Sequence, residues 1–132
     1  LKRRHAKGLA LFYIDKDIKD FFFDLKLMNI RILGPLIPNR YYDSASIFSE
    51  IEYSKPDIAR LPFKLYFCMH SSGKKFICKI YFNGDRKIYA VAFISFSTGI
   101  LRALSRRAEE FGWRRGYLVD LIRPKYTQFR FF

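Results

Sequence analysis

Residues 90–122, AVAFISFSTGILRALSRRAEEFGWRRGYLVDLI, set Ser95, Ser97 and Thr98 between an apolar stretch and an arginine-rich one, with Gly99 at the junction. If a helix begins there, its first amides have no internal partner and carry partial positive charge. Short hydroxyl side chains and a glycine let a phosphate or sugar edge come close to such amides. Arg102 and Arg106 lie one turn apart and off the apolar stripe, so they can follow neighbouring phosphates. Arg107, Arg114 and Arg115 lengthen the same basic edge. Hydroxyls and amides held at one height suit the shallow minor groove of A-form RNA, which is read by shape. The same residues also fit an ordinary helix cap followed by a solvated charged face.

Other residues could in principle transform a substrate. Asp17, Asp20 and Asp24 share a helix face and could hold a metal, as in a nuclease acting on nucleic acid. Beside Lys16 and Lys19 they read more simply as a solvated ion-pair face. Glu109 and Glu110 read as surface residues. His5 and His70 are isolated from any spaced carboxylate or cysteine. Cys68 and Cys78 could face each other across a hairpin, but without CxxC spacing they suggest reduced core thiols. No catalytic residue, metal ligand, cofactor or small-molecule substrate is therefore expected.

The elements that must position the hydroxyl–arginine segment follow from periodicity. Residues 8–14 read as a strand. Residues 15–28 read as a helix with Ile18, Phe22, Leu25 and Met28 on one face and Asp15 able to cap it, and residues 29–37 as a returning strand. Residues 39–62 hold Pro56 and Pro62 and show no sustained period, apart from a possible short helix over 41–53. Residues 63–70, 75–82 and 86–94 form a meander with turns at 71–74 and 83–85. Asn83-Gly84 suits a tight hairpin in which both residues take positive φ. A helix over 99–111, with Ile100, Leu104, Ala108 and Phe111 as its apolar stripe, ends at Gly112, and a last strand covers 116–122. The expected fold class is α+β. A small strand–helix–strand N-terminal lobe (1–38) is followed by a linker or insertion (39–62), a β-rich lobe with one helix (63–124) and a basic aromatic tail (125–132).

Composition narrows the partner. The chain has 132 residues, and 25 Lys and Arg against 12 Asp and Glu leave a formal charge of +13, which favours a polyanion partner over a neutral one. An anionic membrane is the competitor, but it usually draws one basic amphipathic helix, whereas these charges are spread along the chain. No apolar run is long enough to span a membrane. Aromatic residues make up 19%, too many rings for a domain of this size to hide, so some are expected at interfaces. The terminal FRFF is expected to dock on a partner, or else to fold back on the chain's own core. The basic start, LKRRHAK, reads either as an RNA-contacting arm or as a solvated end. It lacks a Met, which suggests a trimmed or incomplete N-terminus, and it is too short for a presequence.

The order of these features resembles the S-eight family of small-subunit ribosomal proteins. In that family an apolar strand runs into a Ser-Thr-Ser-Lys-Gly loop, a short helix, a glycine turn and a final strand. Ser95 and Ser97 match the two serines, Gly99 the glycine, Arg107-Ala108 the helix's arginine–alanine pair, and Gly112 the turn. Phe96 and Thr98 stand where the family has Thr and Lys, and GWRRGY fits with a one-residue shift. In the first lobe Lys7, Asp15-Lys16, Leu25–Leu27 and Asn29-Ile30 correspond to family positions. The resemblance implies a structural, non-enzymatic protein that binds central-domain rRNA of the small subunit and contacts neighbouring ribosomal proteins. It implies rRNA contacts at Ser95, Ser97, Thr98, Gly99, Arg102, Arg106, Arg107, Arg114, Arg115, Lys7 and Lys16. The departures, with a composition rich in Phe, Tyr, Ile and Lys, point to a divergent mitochondrial member. A purely protein-contacting assembly subunit is the remaining alternative.

Overall fold

The computed structural model describes residues 4–36, 48–97, 99–120 and 130–131. Its elements are β1 (Arg4–His5), β2 (Gly8–Asp17), α1 (Ile18–Leu27), β3 (Ile30–Leu36), α2 (Phe48–Ser54), α3 (Pro56–Ala59), β4 (Phe63–His70), β5 (Lys75–Phe82), β6 (Lys87–Ser95), α4 (Ile100–Glu110), β7 (Arg114–Asp120) and β8 (Arg130–Phe131). Six strands form one antiparallel sheet in the order β3-β4-β5-β6-β2-β7. The class is α+β and strand-rich, as expected.

The expected division into an N-terminal lobe and a β-rich lobe takes another form. β2 lies between β6 and β7, with Leu11 opposite Ala92 on one side and Tyr117 on the other, while β3 pairs with β4. The strand–helix–strand segment and the meander therefore share a single sheet. The physical reason lies in β2 itself. Leu9, Ala10, Leu11 and Phe12 are all buried, and so continuous an apolar run needs cover on both faces and a partner on both edges.

Alternation along the strands separates two cores. On one face Ala10, Phe12, Cys68, Cys78, Ile80, Val91 and Phe93 pack beneath α1 and α4. Trp113 sits among them, stacked on Phe21 at 5.4 Å and Phe93 at 6.4 Å and meeting Phe12 edge-on at 5.8 Å. On the other face Leu9, Leu11, Leu65, Ile77, Ala90 and Ala92 pack against Phe48 and Ile51 of α2 and Ile58 of α3. The expected linker thus carries two short helices that close the second face, α3 starting on Pro56, whose fixed φ suits a first helical turn. Residues 39–47 of that segment lie outside the described residues.

Local details differ from expectation in instructive ways. β2 continues to Asp17, so α1 begins later than expected, and its cap is Asp17, whose carboxylate accepts from Lys19 N at 2.8 Å. Asp15, expected as the cap, instead occupies a bulge between Tyr13 and Lys16 with φ 49°. At the 83–84 turn only Gly84 takes positive φ, because Asn83 N donates to Lys87 O and the loop is longer than a two-residue hairpin. Cys68 and Cys78 are buried and free, and burial pushes the Cys78 thiol well above its usual pKa. β8 pairs with β1, Arg4 opposite Phe131 and His5 opposite Arg130, and residues 1–3, 129 and 132 of the expected basic start and terminal FRFF lie outside the described residues. Residues 125–129 and 121–122 of the expected tail and last strand lie outside the described residues.

Candidate nucleic-acid interface

α4 follows β6 through the hydroxyl segment, and its buried side, Ile100, Leu101, Leu104, Ser105 and Ala108, is set by the sheet beneath. That orientation leaves Arg102, Arg106 and Arg107 on the exposed side, as their spacing predicts. Arg107 is partly committed, since its guanidinium pairs with Glu110 and lies 4.9 Å from the Phe111 ring centroid. Arg114 and Arg115 open β7, an edge strand of the sheet, and both are exposed.

These two arginines do not continue one line. Arg115 is in register with Phe12, which places it on the α1/α4 face. Arg114 is in register with Tyr13 and holds its guanidinium 5.1 Å from that ring's centroid, on the α2/α3 face. Strand alternation makes adjacent residues diverge, so of the basic edge expected from 102 to 115 four arginines lie on the α1/α4 side of the sheet and Arg114 on the other.

The hydroxyl segment is less open to a phosphate or sugar edge than expected. Ser95 is 0% exposed. Its hydroxyl accepts from Ser97 N at 3.0 Å and donates to Ser97 O at 2.8 Å, closing a local turn. As the last residue of β6 it alternates inward, so it shapes the loop and cannot meet a ligand. Ser97 is half-buried beside it. Gly99 takes φ 79° at the start of α4, a left-handed conformation that favours glycine, and no side chain caps the helix. Thr98 lies outside the described residues.

The two lysines implied by the resemblance also fall in different settings. Lys7 is half-buried at the start of β2, its amide donating to Ser95 O at 2.7 Å. Lys16 is spent internally. Its ammonium pairs with Asp24 at 2.7 Å and donates to Phe111 O. The same oxygen of Asp24 accepts from Trp113 Nε1 at 2.8 Å. Asp24 thereby joins β2, α1 and the α4–β7 turn, and it is buried, not solvated as its spacing with Asp17 and Asp20 suggested. Among the described residues no three His, Cys, Asp or Glu side chains could together hold a metal ion.

Sequence reasoning also missed the polar constellation around Asp57. Asp57 of α3 accepts from Tyr89 Oη at 2.8 Å through one oxygen and from Tyr13 Oη at 3.4 Å through the other. Tyr13 and Tyr89 meet edge-to-face at 5.6 Å. Burial, followed by the Asp57 carboxylate, pushes the Tyr13 phenol up to about 12, and the hydrogen bond to Asp57 raises Tyr89 in the same direction. Asp57 sits in a stretch without periodicity and more than thirty residues from either tyrosine, so no local signal could have joined them. No family model matches the chain, and no curated protein or solved structure does either.

Proposed function

We propose that this chain is a structural RNA-binding protein, a component of the small subunit of a mitochondrial ribosome that holds folded rRNA without transforming it. The observation that carries the proposal is the net charge of +13 combined with an exposed arginine cluster, Arg102, Arg106, Arg107 and Arg115, at α4 and the start of β7. Guanidinium groups fixed on a rigid helix and strand suit phosphates at regular spacing, and their fork geometry favours paired oxygens. The ribosomal assignment rests on the similarity of residues 95–112 to the S-eight family loop and helix. The single sheet departs from that family's two-lobe plan. Contacts attributed to Ser95 and Lys16 pass to the arginines, because those two side chains are used within the fold.

Neighbouring proteins are the proposed second class of partner. Phe23 is 60% exposed on α1, with Leu27 one turn on and Lys19 and Lys26 beside them. Such a surface gains from being covered. Against a nuclease reading, two of its three acids serve the fold: Asp17 caps α1 and Asp24 is paired with Lys16 and Trp113.

Co-sedimentation tests the proposal. Tagged protein expressed in mitochondria should travel with the small subunit, and purified protein incubated with small-subunit RNA and magnesium should leave the RNA intact. Absence from the particle, or cleavage of the RNA, overturns it.

A further inference from the structure

The cleft where β2, the β5–β6 loop and the α4–β7 turn meet has a volume of about 450 Å³ and is lined by Tyr13, Ile14, Asp15, Asn83, Tyr89, Gly112 and Arg114. That volume suits one nucleoside. Its floor is preorganised: the two carboxylate oxygens of Asp57 fix the hydroxyls of Tyr13 and Tyr89, and so the attitude of both rings. Arg114, the arginine that left the α4 cluster, is held at its wall over Tyr13. Asp15 sits on the bulge with φ 49°, a conformation that turns its carboxylate out of the strand's normal alternation. Its one charged neighbour among the described contacts is Lys87, 3.9 Å away, with both side chains more than half exposed.

We propose that this cleft receives a single unpaired guanine of the bound RNA. The Asp15 carboxylate accepts from the N1–H and the exocyclic amine of the base, Tyr89 provides the stacking surface, and Arg114 and Lys87 meet the adjoining phosphates. Guanine is singled out by donor pattern. A carboxylate offers two parallel acceptors, and only guanine presents two adjacent donors on its Watson–Crick edge. Adenine and cytosine place an acceptor beside their amine, and uracil flanks its single N–H with carbonyls. Unpaired bases are what proteins read in RNA, by stacking on aromatic rings and bonding to that edge. This inference rests on the RNA-binding reading and adds to it a base-selective subsite separate from the arginine cluster.

The test uses the full chain and fluorescently labelled oligouridine strands carrying one central guanine, inosine, adenine or uracil. The guanine strand should bind about tenfold more tightly than the adenine or uracil strand, with inosine, which lacks the exocyclic amine, between them. Asp15→Asn should erase the preference. The fold should survive, because asparagine adopts positive φ at least as readily as aspartate. Tyr89→Ala should weaken binding of all four strands by about tenfold. Equal affinity of the wild type for the four strands, with salt-sensitive binding retained, overturns the guanine site and leaves the RNA-binding reading standing. A guanine preference unchanged in Asp15→Asn overturns the site as well. Binding to no strand at low salt overturns both.

Discussion

Lys79 points from β5 into the core under α2, and replacing its partner Glu52 with glutamine should destabilise the fold more than removing the lysine. The Lys79 side chain is 3% exposed and its ammonium lies 2.7 Å from Glu52, which is 18% exposed. Three rings surround the ammonium, with Phe63 at 3.9 Å, Phe48 at 5.3 Å and Tyr81 at 5.5 Å to their centroids. At an effective dielectric constant near 20 such a pair attracts by about 6 kcal/mol, of which desolvation takes roughly half. Glu52→Gln removes the carboxylate charge 2.7 Å from the buried ammonium, at a cost of about 3 kcal/mol. Lys79→Met leaves a carboxylate that reaches water and still accepts from Tyr81 Oη at 2.5 Å, and should cost about 1 kcal/mol. The double variant should lie close to Lys79→Met, a coupling of about 3 kcal/mol in the cycle. Urea denaturation reads these values directly, with a midpoint fall of roughly 1–2 M for Glu52→Gln. If Lys79→Met proves the more damaging change, or if the two effects simply add, the pair does not fasten α2 to the sheet and the reasoning fails.

Three further outcomes follow from the same geometry. Gly116→Ala should cost about 1–3 kcal/mol by thermal melting, since a Cβ there would lie 2.6 Å from Tyr13 Cε2 and 3.3 Å from Leu11 Cδ2, where the ring covers the glycine. Asp24→Asn should cost about 2 kcal/mol and alter the fluorescence of Trp113, the chain's one tryptophan, because Lys16 loses its counter-charge beside the indole. For pH, the folded Tyr13 phenol is raised from 10.0 to about 12, so its contribution is complete below pH 10.0 and fades as pH climbs through about 12. Phenolate absorbance should show a late-titrating component that Tyr13→Phe diminishes, and Asp57→Asn should move the Tyr13 and Tyr89 phenols towards their ordinary range.

Much of the sheet was legible because its strands are locally self-consistent. Residues 63–70 and 75–82 form the strands their apolar and β-branched content predicts, and the α4 stripe falls where a 3.6-residue period puts it. The α1 boundary was less legible: Asp15 and Lys16 resemble a helix start, yet the chain stays extended until Asp17 because β6 and the bulge hold it. The insertion of β2 between β6 and β7 depends on pairings across most of the chain, which no window of sequence contains. Four fully buried residues in a row, Leu9 to Phe12, were the available signal of a central strand. At the candidate site, helix spacing anticipated the exposure of Arg102 and Arg106. The inward turn of Ser95 and the parting of Arg114 from Arg115 depend on strand register, which an alternation argument reaches only once the strand's facing is known.

Arginines of α4 and the start of β7 are the groups proposed to hold phosphates. Arg102, Arg106 and Arg115 are exposed, so replacing all three with glutamine should leave the melting temperature nearly unchanged. The measurement is the slope of log Kd for small-subunit RNA against log salt, in the wild type and in this triple variant. Loss of three phosphate contacts should lower that slope by about 2–3, at roughly 0.7–0.9 per phosphate. An unaltered slope with unaltered affinity would contradict the account.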